Sequence, residues 1–248
     1  MARFGRRIPI QHQFNPKIAP FEPVTVDVFG ASGSSGLQVY GTNNSFSQTI
    51  YGNRLYLAVN VYTQNPYYPY SGGPLYLGVS ATVGGKSMSV ANFIYDYVSN
   101  PPGQSYSSAW LFSMNNPPQG NQTFSIAASS NTYMIVNWNA ISFRNVGSVG
   151  PVQSSNGSSS IAQNVTGLAS NGLILTALFG SISGFNGTTL VNASSILLGT
   201  STSGTVSATS SGLAWAAISV PLNPLPFPPA LPELYNQVPV TMSRGSAY

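Results

Sequence analysis

The side chains able to do chemistry are few, and their placement argues against catalysis. The chain has one His and four carboxylates. His12 stands between Gln11 and Gln13 in a stretch broken by Pro9 and Pro16. A catalytic triad or a metal-bound water needs a His held by a rigid scaffold beside a partner, and this setting offers neither. A glycosidase needs two carboxylates across a cleft. Glu22 and Glu233 lie at the edges of the terminal extensions, which leaves Asp27 among alternating valines and Asp96 between Tyr95 and Tyr97. Nothing in the spacing brings those two together. Calcium prefers several oxygen ligands with carboxylates among them, so a tight site is not expected either. With no Cys, a thiol enzyme, a disulfide framework and a Cys-based zinc site are excluded. The expectation is a protein that is not an enzyme, with no catalytic residue, metal or cofactor.

The residues best suited to binding are tyrosines. The stretch YTQNPYYPYSGGPLY, residues 62–76, places Tyr62, Tyr67, Tyr68 and Tyr70 in a Pro/Gly-rich loop. A phenol ring offers a flat apolar face and a polar tip, which suits a sugar ring or a protein surface. Charge is the other signal. Arg3, Arg6, Arg7 and Lys17 precede the first acid, Glu22, and the remaining four bases and three acids after it leave the body close to neutral. Such an arm suits an acidic partner surface. Nucleic acid is not the expected partner, because the body lacks a basic face with interleaved aromatics.

The elements that must carry these residues read as strands. Charged residues make up 5% of the chain and apolar ones 42%, so it can bury a core while having little to titrate. Val24, Val26 and Val28 alternate with polar neighbours, and Leu55, Leu57, Val59 and Val61 form one face opposite Tyr56, Ala58, Asn60 and Tyr62. Period two with aromatic and β-branched residues predicts half-buried strands. Residues 75–83, 89–98, 205–209 and 213–220 read alike, and 173–179 is apolar on both faces, as in a central strand covered on both sides. Gly84-Gly85, Asn156-Gly157, Asn171-Gly172 and Asn186-Gly187 are turn signals. Trp138-Asn-Ala-Ile-Ser-Phe143 resembles Trp215-Ala-Ala-Ile-Ser-Val220, but the flanks do not repeat at that offset of 77, so two central strands are expected rather than a duplication. The parity of Asn137 and Asn139 with Ile141 and Phe143 predicts a bulge near Asn139–Ala140. The organisation expected is a basic N-terminal arm (1–23), one sandwich (24–221) and a Pro-rich extended C-terminal tail (222–248). In the tail, PLNPLPFPPALP at 221–232 has six prolines and favours a polyproline-like path over a central strand. No run is long and apolar enough to predict a membrane span, and MARFGRRIPI is followed by no apolar signal-peptide core.

The order of motifs adds a resemblance. Gly84-Gly85-Lys-Ser-Met88, Phe93-Ile-Tyr-Asp-Tyr97, Asn116-Pro-Pro-Gln-Gly120, Asn139-Ala-Ile-Ser-Phe143 and Leu213-Ala-Trp-Ala-Ala-Ile-Ser-Val220 follow one another. This resembles jelly-roll-like β-sandwich proteins of virions, among them phage minor tail and capsid-associated proteins, over about residues 50–221. The opening MARFGRR is similar to the start of small minor tail proteins of actinobacterial phages. The resemblance implies an all-β, antiparallel jelly-roll-like sandwich. It also implies a structural role in the virion, as a tail-tip or a capsid decoration or vertex protein. The Pro-rich tail lies outside the resemblance; because extended arms bury too little surface alone to offset their ordering, both arms are expected to lie on partners, other virion proteins and copies of the chain itself, through Arg3, Arg6, Arg7, Pro224, Phe227, Pro228 and Tyr235. The alternative is a lectin-like or adhesin module that meets a host-surface glycan through the tyrosine loop. The few carboxylates predict a fold almost insensitive to pH between about 3 and 8.

Overall fold

The computed structural model describes residues 22–64, 77–99, 105–211 and 214–225. Among the described residues there are strands joined by turns and loops but no helix. The strands of the first half are β1 (Thr25–Ser34), β2 (Gln38–Ile50), β3 (Arg54–Gln64), β4 (Gly78–Val83), β5 (Lys86–Ser87), β6 (Ser89–Ser99), β7 (Ser105–Asn115) and β8 (Gly120–Arg144). The short β9 (Val146–Val149) follows. The second half has β10 (Gln153–Gly157), β11 (Ser160–Asn164), β12 (Leu173–Phe179), β13 (Ile182–Ser183), β14 (Thr188–Ala193), β15 (Ile196–Ser201), β16 (Thr205–Ser210) and β17 (Trp215–Pro224). All the pairings are antiparallel.

The long strand β8 organises the first half. Its C-terminal part pairs with β1 and β3 in a sheet of order β1–β8–β3–β7–β6. Its N-terminal part pairs with β2 and β4 in a sheet of order β2–β8–β4–β5. Between the two, Val39 opposes Tyr133 and Gly41 opposes Ser129, so residues 130–132 face a single residue of β2. That surplus lets the strand turn a corner and serve both sheets. The two sheets close on an apolar layer that includes Leu57, Val59, Phe112, Phe124, Ile126, Val136 and Trp138. Phe46 of one sheet stacks on Trp138 of the other, ring centres 5.7 Å apart.

The second half repeats this plan. One sheet has the order β10–β17–β12–β15–β14, and the other has β11–β16–β13. Taken in chain order, β10, β11, β12, β13, β14, β15, β16 and β17 occupy the places of β1, β2, β3, β4, β6, β7 and the two parts of β8. Ile161, Leu178, Leu197, Trp215 and Ala217 fill the space between them. Gln163 of β11 adds a buried polar tie. Its amide donates to Ala217 O (3.2 Å) and Ser155 Oγ (2.7 Å), and its oxygen accepts from Ser219 Oγ at 2.6 Å. The halves then meet back to back. Tyr56, Leu111, Ile141 and Phe143 from the first pack with Leu175, Phe179, Leu198, Ile218 and Val220 from the second in one shared core.

These facts revise the expectations in four places. The single sandwich expected over 24–221 is a pair of sandwiches, and the chain carries a structural duplication. The sequence hides it because the offset changes: Trp138 matches Trp215, 77 residues on, whereas Gly33 matches Gly157, 124 residues on. No bulge interrupts β8 at Asn139 against β3. The irregularities fall on β1 instead, at Val26/Phe29 and Phe29/Ala31, where Gly30 takes a positive φ of 110°. Asn139 shares the inward face with Ile141 because it is fully buried there, donating to Ile196 O of the other half at 2.9 Å. Finally, β17 runs through Pro221 to Pro224, past the boundary read at 221. A strand residue points its N and O to the same side. The Pro221 oxygen accepts from Gly150 N, in the break between β9 and β10, so the missing donor costs no bond to β12.

Elsewhere the sequence reading matches except at Asn156-Gly157. Strand β12 spans 173–179 and is covered on both faces. Gly84 and Gly85 form a tight hairpin turn with φ of 55° and 74°. Asn156-Gly157 is not a turn: Gly157 ends β10 opposite Trp215, as Gly33 in β1 lies opposite Trp138. A Cβ on Gly157 would come within 2.8 Å of the Trp215 ring, and one on Gly33 would overlap the Trp138 ring. Both Gly33→Ala and Gly157→Ala should therefore destabilise the protein by about 1–3 kcal/mol through overpacking. Urea unfolding should read this as lowered midpoints for both variants and an unchanged midpoint for the exposed Ser34→Ala.

Candidate functional site

Asp27 is the acid whose surroundings are most developed. Its Oδ2 accepts from Tyr51 N (2.8 Å), Gly52 N (2.7 Å) and Ser142 Oγ (2.8 Å). Its Oδ1 pairs with Arg144, at 2.7 Å from both Nε and Nη2. Beside it, Asn53 exchanges two bonds with the Val146 backbone, 2.7 and 3.1 Å. Together they pin the β2–β3 turn to β1 and to the end of β8. Burial alone would raise the Asp27 carboxyl. The amide of Tyr51, the Ser142 hydroxyl, the Arg144 guanidinium and the amide of Gly52 outweigh it and hold the group below the usual carboxylate value. A carboxylate with every lone pair engaged is a structural latch rather than a general base. Among the described residues there is no group of three His, Cys, Asp or Glu placed to hold a metal.

The tyrosine end is the second candidate. Register places Ser34 opposite Asn137, Gln38 opposite Met134, Gln64 opposite Tyr133 and Ser99 opposite Tyr106. One end of the first sandwich therefore gathers the β1–β2 turn, the β8 corner and the ends of β3, β6 and β7. Tyr40, Tyr62, Tyr97, Tyr106 and Tyr133 lie at this end by backbone position, and Tyr62 and Tyr133 are half-buried. The connection 65–76 leaves from Gln64 and returns at Leu77. It lies outside the described residues, and Tyr67, Tyr68 and Tyr70 with it.

Next to Leu77 is an open trough of about 710 Å³ on the outer face of β2, β8 and β4. Gly41, Ser129 and Gly78 form one row across the three strands, and Asn43, Ala127 and Ser80 form the next. The small residues lower the floor, while the amide and hydroxyls line it without charge. The sequence reading missed this trough, because its residues come from three strands far apart in the chain.

A third feature is an aromatic shelf on the edge strand β6. Phe93 and Tyr95 are 43% and 47% exposed and rest on Trp110 of β7, with ring centres 5.0 and 5.4 Å from it. Nothing in the sequence separated these rings from core aromatics, since exposure depends on where the facing sheet stops.

Of the expected partner contacts, Pro224 is buried in β17 opposite Val146 and is withdrawn from that set. Arg3, Arg6, Arg7, Phe227, Pro228 and Tyr235 lie outside the described residues, as do His12 and Glu233. Asp96 lies in β6. No helix among the described residues is long and apolar enough to cross a membrane. Compared with known proteins, the chain matches no family model, no curated protein and no solved structure.

Asp27 yields a pH prediction. A carboxyl lowered in the folded state adds stability that is complete above the unfolded value, about 3.9, and is lost as pH falls through the folded value. Stability should be flat from about pH 4 to 8, with the loss confined to more acid conditions. Asp27→Asn should cost about 1–3 kcal/mol at pH 7, because it removes the charge that the amides of Tyr51 and Gly52 and the Arg144 guanidinium bind. Urea midpoints at several pH values, for both forms, check this.

Proposed function

We propose that the protein is a structural component of a virion, assembling with copies of itself and with other virion proteins through its terminal segments. The observation that carries the reading is the repeated strand order. Orders β1–β8–β3–β7 and β2–β8–β4–β5, repeated as β10–β17–β12–β15 and β11–β16–β13, support a jelly-roll topology in each half. Viral capsid domains are among the proteins built on that plan. The rest of the molecule agrees with a building block. The best-engaged carboxylate is a latch, and polar groups tie strands together instead of converging on a reaction centre. The segments before residue 22 and after residue 225 then supply the contacts between subunits, with Arg3, Arg6, Arg7, Phe227, Pro228 and Tyr235 as their anchors.

A second reading has its own support. Lectin domains also use the jelly-roll plan. An uncharged trough lined by Asn43, Ser80 and Ser129, beside the tyrosine end, suits a neutral sugar. In this reading Tyr62, Tyr67, Tyr68 and Tyr70 contact a host-surface glycan.

Immunogold labelling of producing cultures separates the two. An antibody against the chain should place gold at a fixed position on virus particles, and that position distinguishes tail from capsid. Gold on cell envelopes with bare particles would overturn the virion role. Glycan-array binding lost in Asn43→Ala and Tyr62→Ala would then favour the sugar-binding module.

A further inference from the structure

The aromatic shelf has a chemistry that selects its occupant. Strand β6 is the last strand of its sheet. Val90 lies opposite Phe112 and Phe93 opposite Trp110, so these side chains share the face that packs into the first sandwich. The opposing sheet ends at the short β5, and the row Val90, Phe93, Tyr95 continues past it, each residue more than 40% exposed. Phe93 and Tyr95 meet edge to face, ring centres 4.7 Å apart, which fixes both rings. A free sheet edge ordinarily invites another strand. Here the register of β6 shifts between Val90 and Asn92 and again between Ile94 and Val98. Two irregularities in one edge break the hydrogen-bond row that an added strand would need. A sugar is also a poor fit, because the exposed side chains of the shelf (Val90, Phe93, Tyr95) bring one phenol and no amide or carboxylate, and the Trp110 indole N–H beneath them is buried. What remains is a ligand that stacks on rings and needs few backbone bonds, and that is a polyproline segment.

The chain carries one. Residues 226–232, PFPPALP, have four prolines, no charge and few backbone donors. The segment begins where the described chain stops, at Leu225, whose N donates to Asn145 O. That point belongs to the second half, which covers the other face of the β1–β8–β3–β7–β6 sheet. The shelf is on the opposite face of that sheet, and the assembly reading assigns it the tail of a neighbouring copy. We infer that the Phe93–Tyr95–Trp110 shelf of one copy receives residues 226–232 of another. This rests on the assembly reading above and names the contact that would serve it.

The test is a site-specific photo-cross-link in the full chain. Phe93 is replaced by p-benzoylphenylalanine, and Tyr95 in a second variant in case the first folds poorly. Light and heavy isotope-labelled preparations are mixed, irradiated and mapped by mass spectrometry, with sedimentation run in parallel. The expected result is cross-links into residues 226–232 that join light to heavy chains. The triple substitution Phe227→Ser, Pro228→Ser and Pro229→Ser should cut their yield about tenfold, the loss of about one ring contact in free energy. Cross-links only within chains of one label, or into another surface of the second copy, would overturn the docking while leaving assembly intact. Copies that do not associate at all, by sedimentation or cross-linking, would remove the docking and the assembly reading together.

Discussion

The face shared by the two central sheets is the constraint on which the molecule depends. Strands β8 and β17 each lie in the middle of a sheet, and each sends Ile and a second apolar residue inward: Ile141 with Phe143, and Ile218 with Val220. Separated, each half would leave one face of a five-strand sheet in water, and burial of that apolar surface is the main term that offsets chain ordering. The core is not wholly apolar. Asn139 is fully buried at its centre and binds the Ile196 carbonyl of the opposite half. A buried amide paired to a specific backbone oxygen sets the register of one half against the other, since displacement would leave both groups unpaired.

This arrangement explains how a chain with so little charge stays ordered. Stability comes from stacked sheets and from neutral polar ties such as Gln163 to Ser219 and Asn53 to Val146, with one carboxylate latched at the turn that closes β2 to β3. The outer faces carry Ser, Thr and Asn, as at Ser45, Thr123 and Ser125. A surface of that kind tolerates changes in pH and, among the described residues, exposes few large apolar side chains, three of them clustered on the β6 shelf. An assembling subunit needs such localised contacts so that association is directed instead of general.

Much of the fold was legible in the sequence where one face alternates with another. Residues 54–64 and 173–179 stand out because their apolar periodicity is unbroken. Strand β2 was not legible. YGTNNSFSQTI has only Phe46 and Ile50 as apolar residues on its inward face, with the buried Gln48 between them and many polar neighbours, so its pattern resembles a loop. The Trp138 and Trp215 motifs did mark two equivalent central strands, but the duplication needed topology, because strand and connection lengths differ between the halves. The Asp27 latch was out of reach for a different reason. Its donors lie 24, 25, 115 and 117 residues away, and the pairing of β8 with both β1 and β3 joins them. The aromatic shelf was equally hidden, since Phe93 and Phe112 read alike until the extent of the facing sheet is known.

The central claim is that two duplicated sandwiches stand or fall as one body through their common core. Urea unfolding of single-tryptophan forms tests it most directly. Trp215 alone reports the second half when Trp110 and Trp138 are replaced by Phe, and Trp138 alone reports the first when Trp110 and Trp215 are replaced. Adding Ile218→Ala to each form, which truncates a core residue of the second half, should lower both midpoints together, by a cost of about 2–5 kcal/mol. A midpoint that falls for Trp215 while that for Trp138 stays in place would mean that the halves fold independently, and would contradict the account.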